Sequence, residues 1–258
     1  MSILDFLRLP YMNEMDLDDP KTTALRIKII KEKIFLKSLY TTFYTIFKAS
    51  LNGLPRKRKL VELGSGAGFI KEIIPGVVTS DVFKIPNIDL VFSATHMPFK
   101  NGSVDRFFML NVIHHIQDPQ VFFEEVDRSL KKNGKLVAIE PANTMWGRFI
   151  YKNIHKDEKF NPKAGWKLRS KKPLSDANGA IPWIILVRDR RKFEKLFPRL
   201  KIIKISAHAP IKYLVSGGVS FRQLLPGWMY PAVELIEKLA TPLNNYVGMF
   251  YTIEIEKK

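Results

Sequence analysis

The 258-residue chain contains no cysteine. This excludes disulfides, cysteine-ligated zinc, iron–sulfur clusters and any chemistry that needs a thiolate nucleophile. No uncharged apolar run approaches the roughly 18 residues of a bilayer-spanning helix. The first ten residues lack a basic lead and carry Asp5 inside their apolar part, a poor fit to a signal peptide, so a cytoplasmic location is expected. Carboxylates are scarce in the second half: residues 142–258 hold 22 Lys/Arg against 9 Asp/Glu, which places +13 of the net +17 there. The acids are too scattered to nominate a metal-ligand set, so no metal is expected.

What is present is a sizeable apolar content, 46% of residues, enough for one large α/β domain or a domain with insertions. The chain turns on residues 59–70. Leu60, Val61, Glu62 and Leu63 form a short apolar strand, and Gly64, Gly66 and Gly68 follow at every second position before an apolar helix start. A strand, glycine loop and helix in this order form the first crevice of a doubly wound sheet, where ligands bind at the carboxyl ends of strands. A dinucleotide fingerprint would need its third glycine at position 69, where Phe69 stands. With Glu62 preceding it, the loop suits a ligand with a cationic amino-acid end and no phosphate.

The acid-x-Gly-x-Gly-x-Gly pattern after a strand resembles motif I of class I S-adenosylmethionine-dependent methyltransferases. In that family the loop carries the methionine part of the cofactor, which implies roles for Glu62, Gly64, Ser65, Gly66 and Gly68. A second strand, residues 77–81, ends in Asp81, placed to accept hydrogen bonds from ribose hydroxyls as Rossmann-like folds do. Residues 82–89 leave no room for a full helix before a third strand at 90–92. Ser93-Ala94-Thr95-His96-Met97-Pro98-Phe99 then resembles the family's adenine-facing segment, implying cofactor contacts for Ser93 and Ala94, with Ser93 standing where the family usually has Asp. A fourth strand at 104–110 leads to Asn111, the remaining cofactor candidate, and to His114-His115. Asp118-Pro119 caps a helix at 120–130, residues 131–134 turn, and a fifth strand spans 135–140. The run from residue 60 to 141 resembles the type 11 branch. The Asn-Pro-Pro-Tyr type signature of adenine-methylating enzymes is missing, because Asn111 is followed by Val112 and Ile113.

The resemblance implies a Rossmann-like doubly wound sheet of seven strands, the last antiparallel. Residues 1–55 read as an N-terminal arm and helical extension, with one long helix or two short ones over 21–50. Residues 56–258 read as the methyltransferase domain. Two insertions, at 142–187 and 207–246, leave from carboxyl ends of strands and are expected to form a substrate cover. The expected cofactor is S-adenosyl-L-methionine. The expected substrate is a small molecule or a lipid- or glycan-linked intermediate, with the basic cover meeting phosphate groups or, peripherally, an anionic membrane surface. An RNA methyltransferase, favoured by charge, is the alternative, as is a cofactor-binding protein without turnover. A base for the methyl acceptor is sought among His115, at the end of the fourth strand, His155, in the cover, and Glu140, at the end of the fifth strand.

Overall fold

The computed structural model describes residues 6–10, 19, 22–154, 159–168 and 177–258. Seven strands form one sheet: β1 Leu60–Leu63, β2 Val78–Asp81, β3 Leu90–Val91, β4 Val104–Leu110, β5 Leu130–Pro141, β6 Leu200–His208 and β7 Phe250–Lys257. Their order is β3-β2-β1-β4-β5-β7-β6, with β7 antiparallel to both neighbours and the pairs among β1 to β5 parallel. This is the doubly wound sheet the sequence implied. The reversal of strand order beside β1 opens the ligand crevice between β1 and β4. Strands β1 and β4 are buried almost throughout, which explains their near-continuous apolar runs.

Two helices precede the sheet, α1 Thr22–Glu32 and α2 Ile34–Ala49. Helix α2 buries Phe35, Leu36, Leu39, Phe43, Tyr44 and Phe47, and Phe47 stacks on Phe108 of β4 with ring centroids 5.0 Å apart. The extension is therefore part of the domain's core. Helix α3, Pro119–Ser129, starts as read from the sequence: the Asp118 carboxylate accepts from the backbone N–H of Gln120 and Val121, and Pro119 occupies the first turn.

Between β2 and β3 the helix is indeed replaced by a turn, and Asp89 does the anchoring. Its carboxylate accepts from the Thr79 N–H and hydroxyl at 2.8 and 2.9 Å and pairs with Lys71 at 2.8 Å. The Lys71 hydrogen bond holds the Asp89 carboxyl below its ordinary range.

Two boundaries differ from the sequence reading. Residues 131–134, expected as a turn, lie inside β5, which begins at Leu130 opposite Val104. The register shifts between Val104 and Arg106, and Asn133 takes φ 61° there, so the turn residues form an irregularity within the ladder. The stretch 142–187 is not all cover. Helix α4, Met145–Asn153, leaves the sheet, but Ile181, Ile184 and Ile185 are fully buried in the main core and run through a π-helical turn into α5, Arg190–Leu196. Beyond β6 come α6, Lys212–Ser216, and α7, Tyr230–Leu239. These pack on the N-terminal extension: Tyr230 meets Phe35 edge-on at 5.5 Å, and the Lys33 ammonium donates to the carbonyls of Gly218 and Phe221.

Candidate active site

A cavity of about 580 Å³ opens at the carboxyl ends of β1, β2 and β4. Its floor is the glycine loop. Gly64 and Gly66 have φ of 65° and 48°, conformations that side chains other than glycine's adopt at a cost. A Cβ on Gly64 would come within 2.7 Å of Val112, so the loop lies directly against the turn after β4. A Cβ on Gly68 would overlap the Tyr44 hydroxyl and approach the Ser65 carbonyl to 2.9 Å. Tyr44, fully buried on α2, accepts from the Phe69 N–H at 3.2 Å. The leading helix thus fixes the loop's far end, a contact the sequence reading did not foresee.

Asp81 lies at the cavity wall. Its carboxylate accepts from the Gly66 N–H at 2.9 Å and the Phe83 N–H at 3.0 Å. Ser93 and Ala94 also line the cavity, and the Ser93 hydroxyl shares a 2.8 Å hydrogen bond with Thr95. Asn111 sits at φ 57° with its backbone N–H on the Ile139 carbonyl at 2.8 Å. Its buried amide oxygen has no hydrogen-bond partner among the described residues.

Glu62 does not reach this space. It is buried beneath the loop, one carboxylate oxygen lacks a hydrogen bond, and burial pushes the carboxyl up to about 8, against the opposing pull of Ser65 and Lys71. Glu140 is likewise sealed off. One oxygen accepts from the N–H groups of Val112 and Ile113 at 2.8 and 2.6 Å, and the other meets His114 Nδ1 at 2.6 Å. With all three bonds made in a fully buried position, Glu140 is not among the residues lining the cavity, where the sequence reading sought a base. It clamps the turn that carries the two histidines. His115 and His114 both line the cavity, their rings 4.2 Å apart. His155 lies outside the described residues.

The rest of the wall comes from residues that no motif marked: Tyr40 and Phe43 of α2, Tyr213 of α6, Phe250 of β7, and the cations Arg26 and Lys159. Phe43 and Tyr213 both meet Phe250 edge-on, at 5.1 and 5.0 Å. Helical spacing marks Tyr40, Phe43, Tyr44 and Phe47 as an apolar stripe, but nothing local says that one edge of the stripe faces a cavity. Asn178 ties the cover to the same turn. Its N–H donates to the His114 carbonyl at 3.1 Å, and its amide oxygen accepts from the Asn161 N–H at 2.8 Å.

Residues 61–138 match the sequence profile of a methyltransferase domain family, a span that runs from β1 into β5 and includes the glycine loop, Asp81 and the histidine turn. The chain resembles the class I S-adenosylmethionine-dependent methyltransferases in the sequence of residues 61–138 and in the topology of its sheet. Solved structures share the fold. A methyltransferase of Thermotoga maritima, described as a possible histamine N-methyltransferase, is 17% identical, with 85% of this chain and 89% of that one covered and a TM-score of 0.51. A chain from the complex of the Haloferax volcanii Trm112 activator with its putative methyltransferase is 14% identical, with 94% and 98% covered and a TM-score of 0.51. A geranyl diphosphate methyltransferase is 14% identical, with 97% and 87% covered and a TM-score of 0.50. No curated protein matches the chain.

The methyltransferase cofactor is S-adenosyl-L-methionine, and the site's features fit it. The glycine loop brings bare backbone to the cavity floor, and Asp81 supplies an acceptor at the end of β2. The unmatched Asn111 amide oxygen is an acceptor suited to an ammonium donor.

Proposed function

We propose that the methyltransferase domain acts on a small molecule, or a lipid- or glycan-linked intermediate, whose acceptor portion has an apolar body and an anionic group. The observation that carries this reading is the cavity beyond the glycine loop. Aromatic side chains from α2, α6 and β7 wall it, Arg26 and Lys159 line it, and Asp81, on the cofactor side, is the one carboxylate among its described lining residues. An apolar pocket walled by aromatic rings takes an acceptor with an apolar body, and an anionic group on it suits the +13 carried by residues 142–258.

On this reading the backbone from Gly64 to Gly68 lies under the methionine portion of the cofactor, Asp81 accepts from the ribose hydroxyls, and Ser93 and Ala94 meet the adenine. Asn111 accepts from the ammonium, while Glu62 shapes the loop from below. The cofactor supplies an electrophilic methyl group, and its sulfur keeps the electron pair of the broken carbon–sulfur bond. His115 takes the proton of an acceptor that carries one, and the Glu140 clamp holds the turn so that both histidines face the acceptor. The experiment is methyl transfer from labelled S-adenosylmethionine to a panel of amphiphilic anions and to RNA. Labelling of an anionic amphiphile, lost in His115→Ala with cofactor affinity intact, is expected. Labelling of RNA alone would overturn the acceptor class.

A further inference from the structure

We propose that the outer face formed by α7, the helical turns that follow it and α4 docks on an anionic lipid bilayer. This goes beyond the methyl-acceptor reading and does not depend on it, because none of the exposed residues of this face lines the cavity.

Read as a sequence, α7 opposes such a role, since Glu234 and Glu237 fall within it. In the structure Glu237 turns inward, and Glu234 pairs with Lys212 while its side chain stays 38% exposed. Glu237 accepts from the backbone N–H groups of Ile211 and Lys212 at 2.8 and 2.7 Å, and both carboxylates lie 3.5 Å from the Lys212 ammonium. That ammonium is itself nearly buried beneath α7 and lies over the Tyr230 ring. With Glu237 nearly buried and Glu234 paired to Lys212, Leu235, Ile236 and Leu239 are left exposed, Leu239 by 74%.

The apolar face continues on both sides. Trp228, 78% exposed, precedes α7, and Leu243 and Tyr246 follow it on the helical turns Thr241–Leu243 and Asn244–Val247. The second of these turns packs on α4, whose exposed Phe149 stacks with Trp146 at 5.8 Å. Aromatic rings beside aliphatic side chains suit the headgroup boundary of a bilayer.

The charges favour one occupant. Within residues 142–154 and 209–249 the only carboxylates are Glu234 and Glu237, both engaged with Lys212, whereas Arg148, Lys152 and Lys238 are exposed around the apolar face. A basic rim whose two neighbouring carboxylates are both paired with Lys212 complements anionic headgroups, and residues 142–258 carry +13. A second copy of the same face would instead bring like charges together. The inner side of this layer, through Tyr213, Gly218 and Val219, lines the cavity, so docking would set the acceptor side of the domain next to the bilayer.

Co-sedimentation of the full chain with vesicles of phosphatidylcholine alone, or of phosphatidylcholine with phosphatidylglycerol, tests the surface. The chain is expected to bind the anionic vesicles more tightly, and Leu235→Glu with Leu239→Glu to weaken that binding about tenfold or more. Lys152→Ser with Lys238→Ser should reduce the preference for phosphatidylglycerol while leaving thermal unfolding unchanged. Absence of binding to anionic vesicles, or binding undiminished in the Glu variant, overturns the proposal. So does a dimer in sedimentation velocity that the Glu variant dissociates, since a second copy would then cover the face. Titration of S-adenosylhomocysteine on the same samples separates a failed docking surface from a failed methyltransferase reading.

Discussion

Replacing Gly68 with alanine tests whether α2 governs the cofactor loop. The added Cβ overlaps the Tyr44 hydroxyl and crowds the Ser65 carbonyl, and neither can retreat freely, because Tyr44 is fully buried and its hydroxyl holds the Phe69 N–H. Overpacking of this kind costs about 1–3 kcal/mol, and displacement of the hydroxyl adds about 1–2 kcal/mol for the stranded N–H. Gly68→Ala should therefore destabilise by roughly 2–5 kcal/mol. Tyr44→Phe alone removes the acceptor and should cost about 1–2 kcal/mol. In the double variant the ring edge lies in ordinary contact with the new methyl, since the wild-type Tyr44 Cζ is 3.5 Å from that point, while the Ser65 crowding persists. The double variant should thus be no less stable than Gly68→Ala, a coupling of about 1–2 kcal/mol measurable in a urea-unfolding cycle. Strict additivity would refute the claim that the Tyr44 hydroxyl sets the position of the loop.

The Glu62 carboxyl, raised to about 8 from an ordinary 4.5, keeps a proton in the folded chain that the unfolded chain releases. Its contribution is fully present below pH about 4.5 and is lost as pH rises through about 8, so urea midpoints should fall across that window and flatten in Glu62→Gln. An unchanged slope in Glu62→Gln would contradict the assignment. Glu140→Gln replaces an acceptor of three buried hydrogen bonds with a group that mismatches one of them. It should destabilise by about 2–3 kcal/mol in urea unfolding, where a surface residue would change stability little.

Much of the sheet is legible in sequence because each strand writes its own pattern: β4 as the apolar run Phe107 to Leu110, β7 as Ile253 and Ile255 alternating with Glu254 and Glu256. The glycine loop and the Asp118 cap are equally local, their meaning carried within a few residues. What was not legible depends on partners far along the chain. Glu140 looks like a strand-end acid facing a crevice until the N–H groups of Val112 and Ile113, 28 and 27 residues earlier, are seen to occupy it. Glu234 and Glu237 look like surface charges until Lys212 appears beneath them. The start of β5 is hidden in sequence because Asn133 and Gly134 are turn-forming residues, whereas here they make an irregularity that a partner strand tolerates. The aromatic wall of the cavity had no motif at all, since a helix stripe facing core and one facing a ligand have the same period.

Calorimetric titration of the intact chain with S-adenosylhomocysteine, repeated with Asp81→Ala, bears most directly on the central claim that the glycine loop and the acid at the end of β2 form the cofactor site. The account predicts saturable one-site binding that the substitution weakens by about 1–3 kcal/mol, the range for losing hydrogen bonds to a charged acceptor. Absence of binding by the folded chain, or binding that Asp81→Ala leaves untouched, would contradict it.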